Sequence, residues 1–479
     1  MADIFEFSCR AENGTNRFGG MLIGAFLSVF AVGCNGSFEK GWSAYQRKEY
    51  DAAAEIWSQS AESGDPRAQF YLGLMYEEGL GVEQDTQKAA YWYGLSAEQG
   101  FSPAQNNLGL CYWNGQGVER NPDRAAELFA TAAQKGYPWA LQNYGLLSLR
   151  GEGTVQDPVR AFGLVRRAAL DGNPQAQYTL GMMYREGLGT KQDVRKAAKW
   201  MKQAANQGYA PAQNMLGLLY EDGQGVIQSY PRAVYWYEQA HKRNLPAAAN
   251  NLARMYLKGR GVKPDSQKVL DLLRPLAEAG IPQAQAGLGI LYLEQESPDY
   301  AQALSWLQPA AEQGVSAACH ALGLMYANGQ GVPQDYPQAE KWYRTAAEKG
   351  FAPSQNNLAL MYYQGLGVER DYRQAAEWFR KAAQQNAAPA QYALGWLYYR
   401  GWGVEQDFNE AAEWFRRAAE NGFPRAQAAL GKMYLKGQAV PNNSSEAQKW
   451  LQEAERSASA QKEPDTRAGA WAYAKTESR

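Results

Sequence analysis

The stretch FAPSQNNLALMYYQGLGVERDYRQAAEWFRKAAQQN, Phe351 to Asn386, decides the fold, because the chain repeats it loosely about eleven times. Its signature is Leu358-Ala359, with Tyr362 three residues after the small one. The small residue falls at Gly73, Gly109, Gly145, Gly181, Gly217, Ala253, Gly289, Gly323, Ala359, Gly395 and Gly431, and the tyrosine is missing only at Ser148. Each step is 36 residues except Gly289 to Gly323, which is 34. A fixed period of this size marks a stacked array, whose units bury a core only against their neighbours.

Within one unit, Pro353 suits the first turn of a helix, where its missing N–H costs nothing. Leu358, Met361 and Tyr362 follow at helical spacing. Gly365 and Gly367 end the helix through positive φ. Val368, apolar in a polar turn, is expected to plug the gap between helices. Asp371 with Gln374, like Asp407 with Glu410, fits an N-cap and its capping-box partner. Tyr372, Ala375, Ala376, Phe379, Ala382 and Ala383 make the buried stripe of a second helix, closed in most copies by a glycine such as Gly350 or Gly422. The second-helix tryptophans Trp57, Trp92, Trp200, Trp236, Trp306, Trp342, Trp378, Trp414 and Trp450 share a frame and are expected in the core. Gln105, Gln177, Gln213, Gln355 and Gln391 are expected to be structural, bonding a loop carbonyl. The unit is a helix hairpin, and the fold class is all-α, an α/α solenoid superhelix of about 12 hairpins.

The pattern AxxxLGxxYxxGxGVxxDxxxAxxWxxxAAxxG resembles the Sel-one-like repeat family, relatives of the tetratricopeptide repeats. The resemblance covers roughly Ser37 to Arg456. It implies an α/α solenoid used as a protein-interaction scaffold, without fixing a partner. Some members of that family carry a disulfide in each repeat; here the four cysteines, Cys9, Cys34, Cys111 and Cys319, show no paired spacing. Cys111 and Cys319 stand far apart in an array whose units touch only neighbours, so they read as small buried hydrophobes. Lys and Arg number 48 against 49 Asp and Glu, a net charge of −1 that gives no global pull towards nucleic acid or anionic membrane.

Residues 1–34 read as a leader. Met21 to Val32, MLIGAFLSVFAV, is an apolar run too short to span a bilayer but right for a signal-peptide h-region. Ala31-Val32-Gly33-Cys34 looks like a bacterial lipobox, with Ala31 where leucine is preferred, and makes Cys34 the candidate for lipid attachment. Asn35, in place of an aspartate, favours the outer membrane. The expected localisation is periplasmic or outer-membrane-anchored; the alternative is an uncleaved apolar N-terminus in a cytoplasmic protein. Residues 37–64 read as a tetratricopeptide-like capping hairpin and 65–456 as eleven repeats. The unit around Gly289 has lost its glycine loop, so 291–299 is a candidate bend. Ala439 replaces the second loop glycine of the last unit. Residues 457–479 read as a tail, with Trp471 and Tyr473 as candidates to dock on the last helix.

Histidine occurs only as His241 and His320, at different positions of the hairpin. No HExxH, CxxC, GxSxG, Walker or strand-following GxGxxG motif is present. The GxG pairs, such as Gly187-Leu-Gly189, lie between helices and need no phosphate to explain them. Carboxylates are abundant, but none recurs as a buried pair of the glycosidase type. No catalytic residue, metal site or cofactor is expected.

What remains is surface. Trp402 takes a loop position filled elsewhere by Leu, Gln, Glu or Arg, and Trp139 a first-helix start where other copies have Arg, Gln or Pro. Pro389, Tyr392, Trp396 and Tyr399 share one first-helix face, equivalent to Trp139, Gln142, Leu146 and Leu149 in an earlier unit. First helices of such solenoids line the concave groove. That makes Trp139, Gln142, Tyr392, Trp396, Tyr399 and Trp402 the candidate partner contacts, with packing between units as the competing reading. Asn106, Asn214, Asn250 and Asn356 read either as ligands for a peptide backbone or as solvated surface. The expected function is a non-enzymatic scaffold, exported, that binds envelope or secreted proteins along its concave face. The alternative is a regulator or recruiter of peptidoglycan-active enzymes, or a direct glycan binder. Neither nucleic acid nor, beyond a lipid anchor, membrane is expected as a partner.

Overall fold

The computed structural model describes residues 36–295, 297–439 and 442–460. The leader with Cys9 and Cys34, and the tail residues Trp471 and Tyr473, lie outside the described residues. Among the described residues there are 24 helices and no strand. They pair in chain order, beginning with the capping hairpin α1 (Gly36–Gln46) and α2 (Tyr50–Glu62). Eleven hairpins follow. Their first helices are α3 (Pro66–Glu78), α5 (Ser102–Asn114), α7 (Pro138–Arg150), α9 (Pro174–Glu186), α11 (Ala210–Asp222), α13 (Pro246–Lys258), α15 (Pro282–Glu294), α17 (Ser316–Asn328), α19 (Ala352–Gln364), α21 (Ala388–Arg400) and α23 (Pro424–Lys436). Their second helices are α4 (Thr86–Glu98), α6 (Pro122–Gln134), α8 (Pro158–Leu170), α10 (Val194–Asn206), α12 (Tyr230–His241), α14 (Ser266–Glu278), α16 (Tyr300–Glu312), α18 (Tyr336–Glu348), α20 (Tyr372–Gln384), α22 (Phe408–Glu420) and α24 (Ser444–Ala460).

The chain divides between Gln207 and Gly208 into two compact units. The candidate bend at 291–299 falls inside the second, where a shortened connection leads to α16 and Asp299 accepts from the Gln302 N–H at 3.0 Å.

Local chemistry sets the helix ends. Pro66 sits in the first turn of α3, Asp65 accepts from the N–H groups of Arg67 and Ala68, and Gly79, at φ 69°, returns its N–H to Met75 O. Asp371 and Asp407 cap α20 and α22 in the same way, each such cap contributing about 1 kcal/mol. The expected return bond from Glu410 is replaced by another, since its carboxylate accepts from Trp414 Nε1 at 3.1 Å. Asn244 and Asn386 take the left-handed closing position that glycine holds elsewhere, at φ 59° and 63°.

The glycine of the Leu-Gly signature is a packing requirement. A Cβ on Gly109 would lie 2.7 Å from the Phe129 ring, so only glycine lets the ring of α6 settle on the backbone of α5. The same relation joins Gly73 to Tyr93, Gly217 to Tyr237 and Gly395 to Phe415. It also corrects the expected core frame. The deepest residue of the second helix is the one after the tryptophan position, and Tyr93, Phe129, Tyr237 and Phe379 are all 0% exposed. Trp57 is equally buried because in the capping hairpin it takes the ring's place against Gly41. Trp342, Trp378 and Trp414 are buried, but Trp92, Trp200, Trp236, Trp306 and Trp450 are only half-buried. The second loop glycine serves contact between hairpins: a Cβ on Gly117 would stand 2.0 Å from Thr86 O, at the start of the preceding second helix.

The recurring glutamines tie each hairpin to the one before. Gln69, Gln105, Gln177, Gln355 and Gln391 donate through Nε2 to the carbonyl of an alanine eight residues earlier, at 3.0 to 3.3 Å. Cys319 occupies that frame in α17, with Sγ 3.5 Å from Ala311 O. Val368 packs, half-buried, against the core of its unit. Cys111 and Cys319 are buried and free, and burial, aided by the charge of Glu77, pushes the Cys111 thiol up to about 12.

Candidate functional site

Polar bonds join the first helices of successive hairpins. Asn143 Nδ2 donates to Asn106 Oδ1 at 2.9 Å, Gln142 Nε2 to Thr179 Oγ1 at 2.8 Å, and Asn251 Nδ2 to Asn214 Oδ1 at 2.9 Å. His320 Nδ1 lies 2.9 Å from Ser354 Oγ, and burial pushes this imidazole down to about 4, so it is neutral at physiological pH. Asn106 is 4% exposed and Gln142 0%. Asn106 and Gln142 therefore close the array on itself and do not present themselves to a peptide backbone, while Asn214, Asn250 and Asn356 are half-buried.

The remaining candidates separate in the same way. Tyr392 is buried, its ring 5.7 Å from Phe415 and 5.3 Å from Phe423, and belongs to the core. Trp396 is half-buried, edge-on to both Phe415 of its own hairpin and Tyr399. Trp139 is half-buried against the core of the first unit. Trp402 is the most open, 37% exposed, and it stacks on Tyr372 with centroids 5.3 Å apart and planes 19° from parallel.

A recurrent seam places these residues. The side chain four positions after the small residue of one first helix meets the loop of the next hairpin. Trp113 Nε1 donates to Glu152 Oε2 at 2.7 Å, Tyr399 OH to Gln438 Oε1 at 3.1 Å, and the rings of Tyr363 and Trp402 lie 6.1 Å apart. Arg400 lies over Trp396, Tyr399 and Trp402, within 6.0 Å of each ring. The structure thus brings Trp396, Tyr399 and Trp402 together and leaves Trp139 and Gln142 elsewhere, in the first unit.

Two stations of the seam carry ionisable groups that the sequence reading passed over. Glu221 accepts from Tyr237 OH at 2.8 Å and from both terminal nitrogens of Arg254, with Arg260 at 3.9 Å. Burial pushes its carboxyl up, but Arg254, Tyr237 and Arg260 together outweigh burial and hold it below the usual range. Glu77 accepts from Tyr93 OH at 2.5 Å, and burial pushes its carboxyl up against that bond. The signal was present: Arg254 stands in a frame held by an apolar residue such as Leu74, Leu110, Leu146, Met182 or Leu218 in every other repeat but the last, which has Lys432. A cation in that frame either meets a buried carboxylate, as Arg254 does, or stays in water, as the exposed Lys432 does.

Chemically, the arrangement offers area. No group of three His, Cys, Asp or Glu able to hold a metal occurs among the described residues, and none of their helices is long and apolar enough to cross a membrane. A shallow cleft of about 400 Å³ in the first unit is lined by Gln177, Trp200, Gln203, Asn206 and Gln207 beside Ala169 and Leu170, with no titratable side chain.

The sequence model of the Sel1 repeat matches residues 66–101, 102–137, 140–173, 174–209, 210–244, 246–281, 282–315, 316–351, 352–386, 388–423 and 424–458. Among solved structures, c5321, described as a protective antigen present in uropathogenic Escherichia coli strains and displaying an SLR fold, is 36% identical. The match covers 84% of this chain and 86% of that one, with a TM-score of 0.53. A Sel1 repeat protein from Oxalobacter formigenes is 31% identical over 50% of this chain and 95% of its own, with a TM-score of 0.46. No curated protein matches the chain.

Proposed function

The chain belongs to the Sel1 repeat family, whose members are in general protein-interaction scaffolds, and from that premise we propose a non-catalytic scaffold, exported to the bacterial envelope. It holds envelope or secreted proteins on its first-helix face. The observation that carries this reading is the exposed Trp402, a loop residue stacked on Tyr372 at the start of α20 and beside Tyr363 of the first helix α19. Other repeats fill the Trp402 position with Leu80, Gln116, Glu152 or Arg260, so the hairpin does not need an aromatic ring there. Tryptophan and tyrosine are the residues that dominate interface hot spots.

Export draws support from the apolar run Met21 to Val32, from the lipobox-like residues before Cys34, and from the E. coli relative's description as a protective antigen. Lipidated at Cys34, the array would be held at a membrane surface by acyl burial. A second reading, recruitment or regulation of peptidoglycan-active enzymes or direct glycan binding, rests on the same stack, because sugars also pack on flat rings.

Mass spectrometry of the mature N-terminus tests export: a diacylglyceryl-modified Cys34 is expected, and an intact Met1 or Met21 returns the protein to the cytoplasm. Capture of envelope proteins by the intact chain and by its Trp402→Ala variant tests the scaffold, with recovery expected to fall about tenfold. Unchanged capture with lost binding to peptidoglycan sacculi selects the glycan reading. Hydrolysis by the purified chain that survives contaminant controls overturns both.

A further inference from the structure

The last two first helices carry cations and no carboxylate. Helices α21 and α23 contain Arg400, Arg425, Lys432 and Lys436 and not one Asp or Glu, and α17 and α19 before them carry no Lys, Arg, Asp or Glu. An earlier first helix can also be purely cationic, as α13 is, but its Arg254 is paired with Glu221. Helix α3 carries Glu77 and Glu78, and α11 carries Glu221 and Asp222. The ion pairs of this region lie on second helices: Arg344 with Glu340 on α18, Arg416 and Arg417 with Glu413 on α22, and Lys449 with Glu446 on α24. Among the described residues no carboxylate forms an ion pair with Arg400, Lys432 or Lys436, and all three are exposed.

The repeat register puts these cations beside the aromatic seam. One period on from Trp396, Tyr399 and Arg400 stand Lys432, Leu435 and Lys436. Leu435 is 49% exposed and Trp402 37%. The surface therefore continues from rings to a large apolar side chain, with a positive charge beside each. The intervening loops carry Glu369, Arg370, Asp371, Glu405 and Asp407, the two aspartates serving as helix caps, so the excess positive charge belongs to the first helices. An apolar surface lined by one sign of uncompensated charge selects a ligand of the opposite sign that brings its own apolar anchor.

We propose that the first-helix face of the last three hairpins docks an acidic peptide segment of a partner protein, with one large apolar side chain against Trp402 and Tyr363 and its carboxylates against Arg400, Lys432 and Lys436. This rests on the scaffold reading and gives that partner its chemistry. Guanidinium and ammonium groups reach peptide carboxylates with charge-assisted bonds, while the rings supply the buried contact that sets the affinity.

The test is fluorescence anisotropy on the purified full chain with a labelled probe of alternating Glu and Gly containing one Phe, and with its Gln counterpart. The acidic probe is expected to bind at least about tenfold more tightly, with an advantage that shrinks as salt rises. Lys432→Glu with Lys436→Glu should weaken it about tenfold or more and Trp402→Ala severalfold. Arg373→Glu, an exposed charge reversal on the second helix α20, should leave it unchanged, with circular dichroism confirming that every variant is folded. Equal binding of the two probes overturns the proposal. Preferential binding of a Lys-containing probe, lost in Trp402→Ala, also overturns it while leaving the scaffold reading intact. Sacculi bound where no peptide is bound overturns both.

Discussion

Glu77 in the first unit and Glu221 in the second occupy one place in the repeat, four residues past the glycine of a first helix. Each accepts a bond from a fully buried tyrosine of its own second helix. The next first helix decides the difference. Arg254 grips Glu221 through both terminal nitrogens, and Leu110 holds the equivalent position after Glu77. The outcome is opposite in sign, with the Glu77 carboxyl raised and that of Glu221 lowered. In a stacked array a local sequence can therefore be identical in form and reversed in electrostatics, because the deciding partner sits 33 residues away in the neighbouring unit.

Arg254→Leu gives the Glu221 site the composition of the Glu77 site. Removing one partner of a buried pair costs about 3–5 kcal/mol. Arg254 keeps 36% of its side chain exposed, so the expected loss is smaller, about 2–3 kcal/mol after solvent screening. An array does not unfold as one two-state body, so the measurement is hydrogen exchange across α11 to α14. The wild-type contribution of Glu221 is present above the ordinary value of 4.5 and lost as pH falls through its lowered one. In the variant that dependence should reverse. Wild-type protection at pH 7 would show that Arg254 contributes nothing.

Glu77→Gln probes the other side. The amide keeps an acceptor for Tyr93 and removes a charge that the site does not compensate. Because the Glu77 value is raised, its ionised form opposes folding at neutral pH, and the opposition is relieved as pH falls through that raised value towards 4.5. The variant should gain protection in α3 and α4 at pH 7, and nothing near pH 4.5. Lost protection at pH 7 would mean that the charge has a partner.

Much of this molecule was legible in its sequence because the determinants are local. The period, the aspartate caps, the glycine closures and the pairing of helices each depend on a few neighbouring residues. The choice between Trp92 and Tyr93 as the deeper side chain was not legible. Adjacent residues on a helix differ by about 100° in direction, and the close approach of Gly73 decides which one turns inward. Nor could Tyr392 be told from Trp396 as core or rim, since both lie on the stripe counted by helical spacing. The seam was hidden because its members belong to different repeats. Aligning the repeats on their small residue recovers Arg254 and Lys432 as the two cations of one otherwise apolar frame, Lys432 being the successor of Trp396.

The smallest effect separates a partner from a bystander. Arg260 also faces Glu221, but at 3.9 Å and with 44% of its side chain exposed. At that distance, in contact with water, Coulomb attraction is offset by screening and by the entropy of holding a long side chain in place. Exposed pairs of this kind contribute at most about 0.5 kcal/mol. Arg260→Ala should therefore change exchange in α11 to α14 by no more than that, and the change should vanish in high salt. A loss approaching that of Arg254→Leu would mean that total positive charge, and not the two-pronged bond, distinguishes the Glu221 site from the Glu77 site. The charge of the loop, and not the exchange of Leu110 for Arg254, would then set the Glu221 carboxyl.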